Sequence, residues 1–501
     1  MADNRVGRAR KNVVVALCCQ LVTLICGLIV PRLMIGAFGS EVYGATVSIS
    51  QFLSYIALLE GGIGGVARAV LYKPLAENDL DAVSAIMVEI KRFFQVVACI
   101  FVVYVIVLAC SFGTISGTDC LDEATLFWLV IVISASTLAQ YYIGISNAIL
   151  LQAAQRVYVT NFVNIAGTVA NAVMIVILVW LKCDIITVKL VSSVIFILKP
   201  LAMWLYVRRY YRLTGIKKEK KTYLTQKWSG LGQHIAYFLH SNTAVVVLTI
   251  IADLKAVAVY SVYNMVTANI QNLASSFVAG MEAVFGDMLA RKEKRQLHKT
   301  FSTYETIISI IAVILFSVTA VMISSFVAIY TKGVNDVSYD EPLFALILIL
   351  SALIYCIRMP YHALVIAAGH FKQTQMAAYG EAALNVLLSL LLVNWFGLVG
   401  VAAGTLIATT FRLIYYVLYL THEEFGRHPG LFVKRFVVNV AAFTLSFVVG
   451  RAVIAWAQID GYVQWAAYSV IVVLVSTVVT LVLNAVTYRE VRSGLLKRRN
   501  G

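Results

Sequence analysis

Four basic side chains lie deep inside long apolar stretches, where an ionised group is costly. They are Arg32, Lys199, Arg358 and Arg412. A charge at the centre of a membrane helix costs about 2.5–3.5 kcal/mol on insertion scales, so such residues normally face a hydrated cavity or a partner. Arginine donates forked, charge-assisted hydrogen bonds to phosphate oxygens. The four residues therefore predict a net-basic cavity that binds an anionic group, such as a phosphate or pyrophosphate.

Acidic residues are scarcer in the apolar stretches. Glu381 is the clearest deep acid, and Asn385 follows it by one helical turn on the same face, so both are candidate cavity residues. An alternative is that one or two of the basic residues pair with Glu381 or with backbone carbonyls. Glu60, Glu282 and Glu305 lie close to predicted inner helix ends, and we expect them to snorkel to the interface.

A polar stripe at helical spacing adds further candidates. Its members are Tyr260, Asn264, Thr267, Gln271 and Ser275. This spacing places them on one helix face, and we expect Asn264 and Gln271 to line the cavity. The alternative is hydrogen bonding between helices, which also uses such residues. His234 on the preceding span is a further candidate, and its interpretation as a hydrogen-bonded structural residue is preferred over a titrating one.

The composition identifies the elements that must position these residues. Hydrophobic residues make up 61% of the 501 residues, charged residues 13%, and the mean hydropathy is +0.86. This composition predicts a polytopic membrane protein and excludes a secreted disulfide scaffold, a cytosolic enzyme and a nucleic-acid binder. About 14 apolar runs are long enough to span a bilayer. They are 12–35, 41–61, 91–113, 124–152, 158–182, 185–206, 229–252, 256–284, 301–331, 342–368, 374–395, 398–420, 434–458 and 462–488.

The distribution of basic residues predicts the orientation. If the N-terminus is cytoplasmic, the inside segments carry 31 of the 40 Lys and Arg residues. This positive-inside pattern and the even number of spans place both termini in the cytoplasm. The first span is then a signal anchor. The longest outside loops, 114–123 and 332–341, hold ten residues each, so no catalytic domain fits there and we do not expect an enzyme.

An internal echo predicts two related halves. Residues such as Tyr141 and Asn171 recur 214 positions later as Tyr355 and Asn385, and near the sixth span the shift becomes 213. Six spans separate the copies, so the fold class is all-α, with two parallel six-helix lobes around a central cavity and two C-terminal helices. The predicted domains are an N-lobe at 1–206, a basic cytoplasmic linker at 207–228, a C-lobe at 229–420, and helices 13 and 14 with a basic tail at 421–501.

The cysteines and histidines provide no sign of a metal site or a cofactor, and we expect neither. Six of the eight cysteines lie in apolar runs and are typical of small core residues. Cys120 and Cys183 fall in predicted outside loops, so a disulfide between them stays open. The identity of a coupling ion, H⁺ or Na⁺, also stays open.

Several stretches of the chain resemble a known family. They are the run from Ile29 to Asp79 (IVPRLMIGAFGSEVYGATVSISQF…), AVYSVYNMV, EAVFGDMLA, LIYCIRMPYHALVIAAGHFKQTQ and FGLVGVAAGTLIATTFRLIYYVLYL. The sequence resembles the polysaccharide transporter branch of the multidrug/oligosaccharidyl-lipid/polysaccharide exporter superfamily. The resemblance implies a V-shaped fold and alternating access in a bacterial plasma membrane. It implies a polyprenyl-pyrophosphate-linked oligosaccharide as substrate, with membrane lipids and polysaccharide polymerase machinery as partners.

Three functions stay open at this point. The first is a flippase that moves lipid-linked repeat units from the cytoplasmic to the outer leaflet for capsule, O-antigen or exopolysaccharide synthesis. The resemblance carries the cationic substrate-binding role to Arg32, Lys199, Arg358 and Arg412. The second is a cation-coupled drug or small-metabolite exporter of the same superfamily, which needs a deep carboxylate such as Glu381. The third is a membrane enzyme such as a polymerase, which the short outside loops disfavour.

Overall fold

The computed structural model describes residues 2–60, 63–118, 120–211, 231–278, 281–422 and 430–487, and all the regular secondary structure in these ranges is helical. The α-helices are α1 (Ala2–Ser54), α2 (Ile63–Glu77), α3 (Leu80–Ser116), α4 (Glu123–Ala139), α5 (Ile145–Ala153), α6 (Val157–Trp180), α7 (Ile185–Tyr211), α8 (Leu231–Ile251), α9 (Leu254–Ser276), α10 (Met281–Ala290), α11 (Lys294–Tyr330), α12 (Pro342–Ala367), α13 (Phe371–Leu420), α14 (Gly430–Ile454) and α15 (Tyr462–Thr487). A 3-10 helix (Tyr55–Glu60) follows α1, and a π-helical turn (Gln140–Gly144) joins α4 to α5. Most of the predicted basic linker lies outside the described residues.

The helices account for the predicted number of spans. Eleven helical segments of the described residues are long and apolar enough to cross a membrane. Two of these segments, α1 and α13, each contain a break and so contribute two spans each. The 21-residue helix α8, whose shorter apolar part is Ser241–Ile251, is counted as one more. This agrees with the 14 spans expected from the apolar runs, because the length of an apolar run is a local property of sequence.

A single glycine forms each of the two breaks. Gly39 has φ 83° and ψ 167°, and Gly397 has φ 52° and ψ −127°. Positive φ is costly for residues with a Cβ atom but not for glycine. The predicted boundaries between spans, at 36–40 and 396–397, are therefore confirmed, and each pair of spans is joined without a loop.

Some predicted boundaries are wrong. The run 256–284 falls within one membrane-length segment, Leu254–Ala290, as expected, but inside it α9 ends at Ser276 and α10 begins at Met281. The segment 62–92, expected to be an inside connection, contains the 15-residue helix α2 and the first turns of α3. A hydropathy window detects continuous apolar length and misses helices that mix charged and apolar residues, so α2 and α10 were not predicted.

Helix boundaries recur with the shift seen in the sequence. Adding 214 to the bounds of α3 gives the bounds of α11, and both helices have 37 residues. The same shift relates the end of α5 to the end of α12, and the start of α6 to the start of α13. It also relates two pairs of residues with positive φ, Asn78 with Lys292 and Gln155 with Gly369. The two halves of the chain therefore share their local architecture as well as scattered residues.

The chain divides into two compact units. Unit 1 comprises Met1–Phe238 and Asp253–Ala258. Its core gathers apolar side chains from α1, α3, α4 and α7. Gly44 allows α1 to approach the backbone of Leu254 closely in this unit. A Cβ atom at this position would lie 1.8 Å from the carbonyl oxygen of Leu254.

Unit 2 comprises Leu239–Ala252 and Val259–Gly501. Its most buried span in the described residues is α11, whose apolar segment is about two-thirds buried. The last two helices pack on α11 through an apolar cluster of Val321, Met322, Ile454 and Val472. The indole Nε1 of Trp465 on α15 also donates to the carbonyl of Met322, at 3.1 Å. The predicted domain boundaries stay a prediction.

Large apolar side chains cover the outer faces of many helices. Phe162 is 65% exposed and Val103 is 64% exposed. Exposing this surface to water would cost roughly 25 cal/mol per Å². The cost disappears when the surface contacts the hydrocarbon chains of a membrane. The exposed faces thus agree with the interpretation of these helices as membrane spans.

Candidate functional site

Three of the predicted site residues meet in unit 2. Arg358 Nη1 on α12 donates to Glu381 Oε1 on α13 at 2.5 Å, and Arg412 Nη1 donates to Glu381 Oε2. Arg358 and Arg412 are each 5% exposed and Glu381 is fully buried. We call these residues the Glu381 cluster. Both arginines therefore pair with Glu381, as one of the expected alternatives stated. Contact of these arginines with a substrate stays a prediction.

The helical hairpin of α13 sets the depth of this cluster. Glu381 precedes the break at Gly397 by 16 residues and Arg412 follows it by 15. Since the two arms run antiparallel from one glycine, both side chains lie at the same distance from the turn. Arg358 is brought to them from the neighbouring helix, α12. The cluster is thus built by one hairpin and one adjacent span.

Aromatic side chains complete the surroundings of the cluster. The Tyr416 hydroxyl accepts from Arg412 Nε at 3.2 Å and from Nη2 at 2.9 Å. The His362 ring stacks on Tyr416 with centroids 6.0 Å apart. The Arg358 guanidinium lies 4.7 Å from the Tyr355 ring centroid, within cation–π range. Two arginines and one glutamate carry a formal charge of +1, and the surrounding rings solvate part of it.

Asn385 extends the polar line between the arms of α13. It is 1% exposed, its Nδ2 donates to Thr405 Oγ1 at 3.5 Å, and its Oδ1 accepts from Ser389 Oγ at 3.4 Å. Such long contacts are weak hydrogen bonds. They link the two arms of α13 in the way that polar side chains link neighbouring helices in membrane bundles.

Lys199 and Arg32 belong to unit 1 and lie outside the Glu381 cluster. Both side chains are half-buried. Lys199 Nζ donates to Thr168 Oγ1 at 3.3 Å and sits 4.4 Å from the Phe196 ring centroid. Arg32 lies on the first arm of α1, with Nη1 near Gly36. The four predicted cations are thus distributed over both units.

The remaining candidates have local roles. His234 Nε2 lies 2.9 Å from the carbonyl oxygen of Ala57, which agrees with the preferred structural interpretation of this histidine. Asn264 and Gln271 are half-buried on α9. Two other members of the polar stripe, Thr267 and Ser275, donate to carbonyls of their own helix at 3.0 Å and 2.8 Å. Cavity lining by Asn264 and Gln271 stays a prediction.

Glu305 does not snorkel, contrary to expectation. It is 2% exposed, accepts from the Tyr361 hydroxyl at 2.6 Å and pairs with Arg435 on α14. The carboxylate is covered because Tyr361 of α12 and Arg435 of α14 contact it on this face of α11. Sequence spacing gave no sign of the contact, since Glu305 and Arg435 are 130 positions apart.

The predicted outside loops contain two exposed or half-exposed cysteines. Cys120 and Cys183 are both present as thiols in the structure. The disulfide that the sequence left open is therefore not formed in the described residues.

Comparison with known proteins places the fold. No family model matches the chain, and no curated protein matches it. Among solved structures, the lipid II flippase MurJ in an inward closed conformation superposes with a TM-score of 0.72, at 12% identity, covering 95% of this chain and 99% of that one. An inward-facing multidrug resistance MATE transporter gives 0.59 at 14% identity, covering 81% and 96%. The MATE multidrug transporter DinF-BH gives 0.54 at 15% identity, covering 84% and 97%. At these identities the likeness shows a common fold.

Proposed function

We propose that the protein is a membrane transporter that flips polyprenyl-pyrophosphate-linked oligosaccharide repeat units from the cytoplasmic to the outer leaflet. It works by alternating access in the plasma membrane of a bacterium, and the repeat units serve polysaccharide synthesis. The main observation in support of this proposal is the excess of positive charge inside the membrane spans. The fold that it shares with a lipid II flippase over 95% of the chain supports the same assignment.

The charge excess suits an anionic headgroup. The two arginines of the Glu381 cluster exceed its single carboxylate by one charge. Lys199 adds a second positive charge in unit 1. A pyrophosphate that leaves water loses hydration, and charge-assisted hydrogen bonds from protein cations offset that loss. A cationic drug would be repelled by the same residues.

The exporter alternative needs a carboxylate that is available to a proton or a metal cation. Glu381 is the deep acid that the sequence offers for this role, and both of its oxygens accept from arginine. The MATE structures also superpose less well and over less of the chain than the flippase does. Both observations favour the flippase.

The decisive experiment removes the gene from its host. We expect complete repeat units to accumulate on the polyprenyl carrier, measured by mass spectrometry of lipid extracts, while surface polysaccharide is lost. A plasmid copy of the gene should reverse both effects. Normal surface polymer together with new sensitivity to cationic compounds would contradict the proposal and favour the exporter.

A further inference from the structure

The two halves differ at the positions of the Glu381 cluster. The shift that relates the halves assigns an equivalent position to each member of the cluster. The equivalent positions are Gly144 for Arg358, Gly167 for Glu381 and Lys199 for Arg412. The recurring helix bounds of α6 and α13 support this alignment. The first half therefore keeps one cation and replaces the carboxylate and the second arginine by glycine.

The Lys199 side chain occupies the space that the missing carboxylate leaves. A Cβ atom on Gly167 would lie 2.3 Å from Lys199 Cε and 2.9 Å from its Cγ. A Cβ atom on Gly144 would lie 2.4 Å from the Gln140 side chain and 3.0 Å from Pro200, the next residue along α7. The two glycines thus make room for α7 and for the lysine stem. In the second half, a glutamate fills the position of Gly167.

Lys199 has no carboxylate partner among the residues that the structure describes. Its ammonium makes one hydrogen bond, to Thr168, and contacts the Phe196 ring. An ammonium has three hydrogens to donate, so two of them are available to a ligand.

The position of Lys199 along α7 makes this arrangement costly without a ligand. Lys199 lies in the inner half of its predicted span, seven residues before the predicted end at 206, or roughly 10 Å at 1.5 Å per residue. A lysine this deep in a span normally pairs with an acid or faces a ligand pathway. Because no acid among the described residues pairs with Lys199, we expect a bound anion to compensate its charge.

We propose that Lys199 is the cation of the first half that contacts the phosphate groups of the transported lipid, whereas in the second half Glu381 holds the arginines of the Glu381 cluster in place. This inference rests on the proposed function. The shared ligand chemistry is a phosphoryl oxygen, which comes either from the transported pyrophosphate or from a bulk anionic phospholipid.

The test transfers the carboxylate from one half to the other. Gly167→Glu gives Lys199 the partner that Arg412 has, and Gly167→Gln adds the same bulk without the charge. We expect Gly167→Glu to slow repeat-unit export by at least about tenfold, a change of about 1.4 kcal/mol in transition-state binding. Gly167→Gln should export several times faster than Gly167→Glu. Equal export by both variants would overturn the proposal.

A stability measurement separates this effect from misfolding. The new ion pair in Gly167→Glu should leave the melting temperature of the purified protein at or above that of Gly167→Gln. Transport and stability then change in opposite directions, which a packing defect would not produce. Lys199→Ala should also lose export. Full export by Lys199→Ala would contradict the assignment.

Two probes distinguish the source of the phosphate. Farnesyl pyrophosphate should raise the melting temperature of the wild-type protein in detergent and raise that of Lys199→Ala by much less. The second probe compares vesicles of phosphatidylglycerol with vesicles of phosphatidylcholine. If phosphatidylglycerol stabilises the wild type and farnesyl pyrophosphate does not, Lys199 contacts bulk lipid and its substrate role is overturned. If the gene deletion causes no build-up of lipid-linked glycan, the proposed function itself fails, independently of Lys199.

Discussion

At the scale of single residues, Glu381 is the acid that balances the buried positive charge of its cluster. Its two oxygens each hold one arginine in a place that solvent does not reach. Replacing a buried ion cluster as a whole is often tolerated, but removing one partner leaves uncompensated charge. In this cluster, loss of the single acid leaves two buried guanidinium groups, so the acid is more important for stability than either arginine.

We therefore expect Glu381→Gln to destabilise the protein by about 3–5 kcal/mol, the range measured for breaking buried pairs. The measurement is thermal unfolding of purified protein in detergent. Asp287→Asn is the matched control, because Asp287 pairs with Arg291 at 3.0 Å on an exposed surface. Exposed pairs contribute at most about 1 kcal/mol. Similar losses in the two variants would show that the Glu381 cluster is hydrated rather than buried.

The residue types of this cluster could be predicted from sequence, and its geometry only in part. Arg358, Glu381 and Arg412 stand out because charges are rare in apolar runs. Their pairing was one of the expected alternatives, since a single deep acid has few other partners. The placement of Tyr416 against Arg412 follows from one turn of helix. The contact between Glu305 and Arg435 could not be predicted, because nothing in a single sequence specifies which distant helices touch.

At the scale of helices, α14 is attached to unit 2 by more than apolar packing. Arg435 pairs with Glu305 on α11 and its Nη2 donates to Ser302 at 2.5 Å. The second half therefore uses a buried ion pair to fix a helix that has no counterpart in the first half. From the sequence this helix was expected to be an appendix to the repeat.

We expect Arg435→Met to loosen α14, because it leaves the Glu305 carboxylate without its cation in a site that is 3% exposed. Hydrogen exchange followed by mass spectrometry should show faster exchange of α14 amides than in the wild type. Arg451→Met, an exposed arginine on the same helix, is the control and should leave exchange unchanged. Unchanged exchange in both variants would contradict a fixing role for Arg435, and Arg435→Lys should fall between.

At the scale of the whole molecule, the number of spans followed from sequence because it depends on length and hydropathy alone. The helices α2 and α10 did not, since hydropathy does not identify short mixed helices beside a span. The predicted orientation depends on the same charge statistics. A native thiol allows that orientation to be measured.

Cys120 is exposed in a predicted outside loop. We expect a membrane-impermeant maleimide to label it in intact cells, and Cys120→Ser to remove that signal. Cys183→Ser serves as the control for the second outside thiol. Labelling of Cys120 only after the membrane is opened would contradict the predicted topology, and labelling only after treatment with a reductant would show that a disulfide forms in the cell.

The glycine breaks in α1 and α13 also affect how the chain is made. Because one residue joins the two spans of each pair, no hydrophilic loop separates them. Each pair should therefore enter the lipid as a preformed hairpin. The second arm that carries Arg412 then meets Glu381 during biosynthesis, before the guanidinium is exposed alone to hydrocarbon.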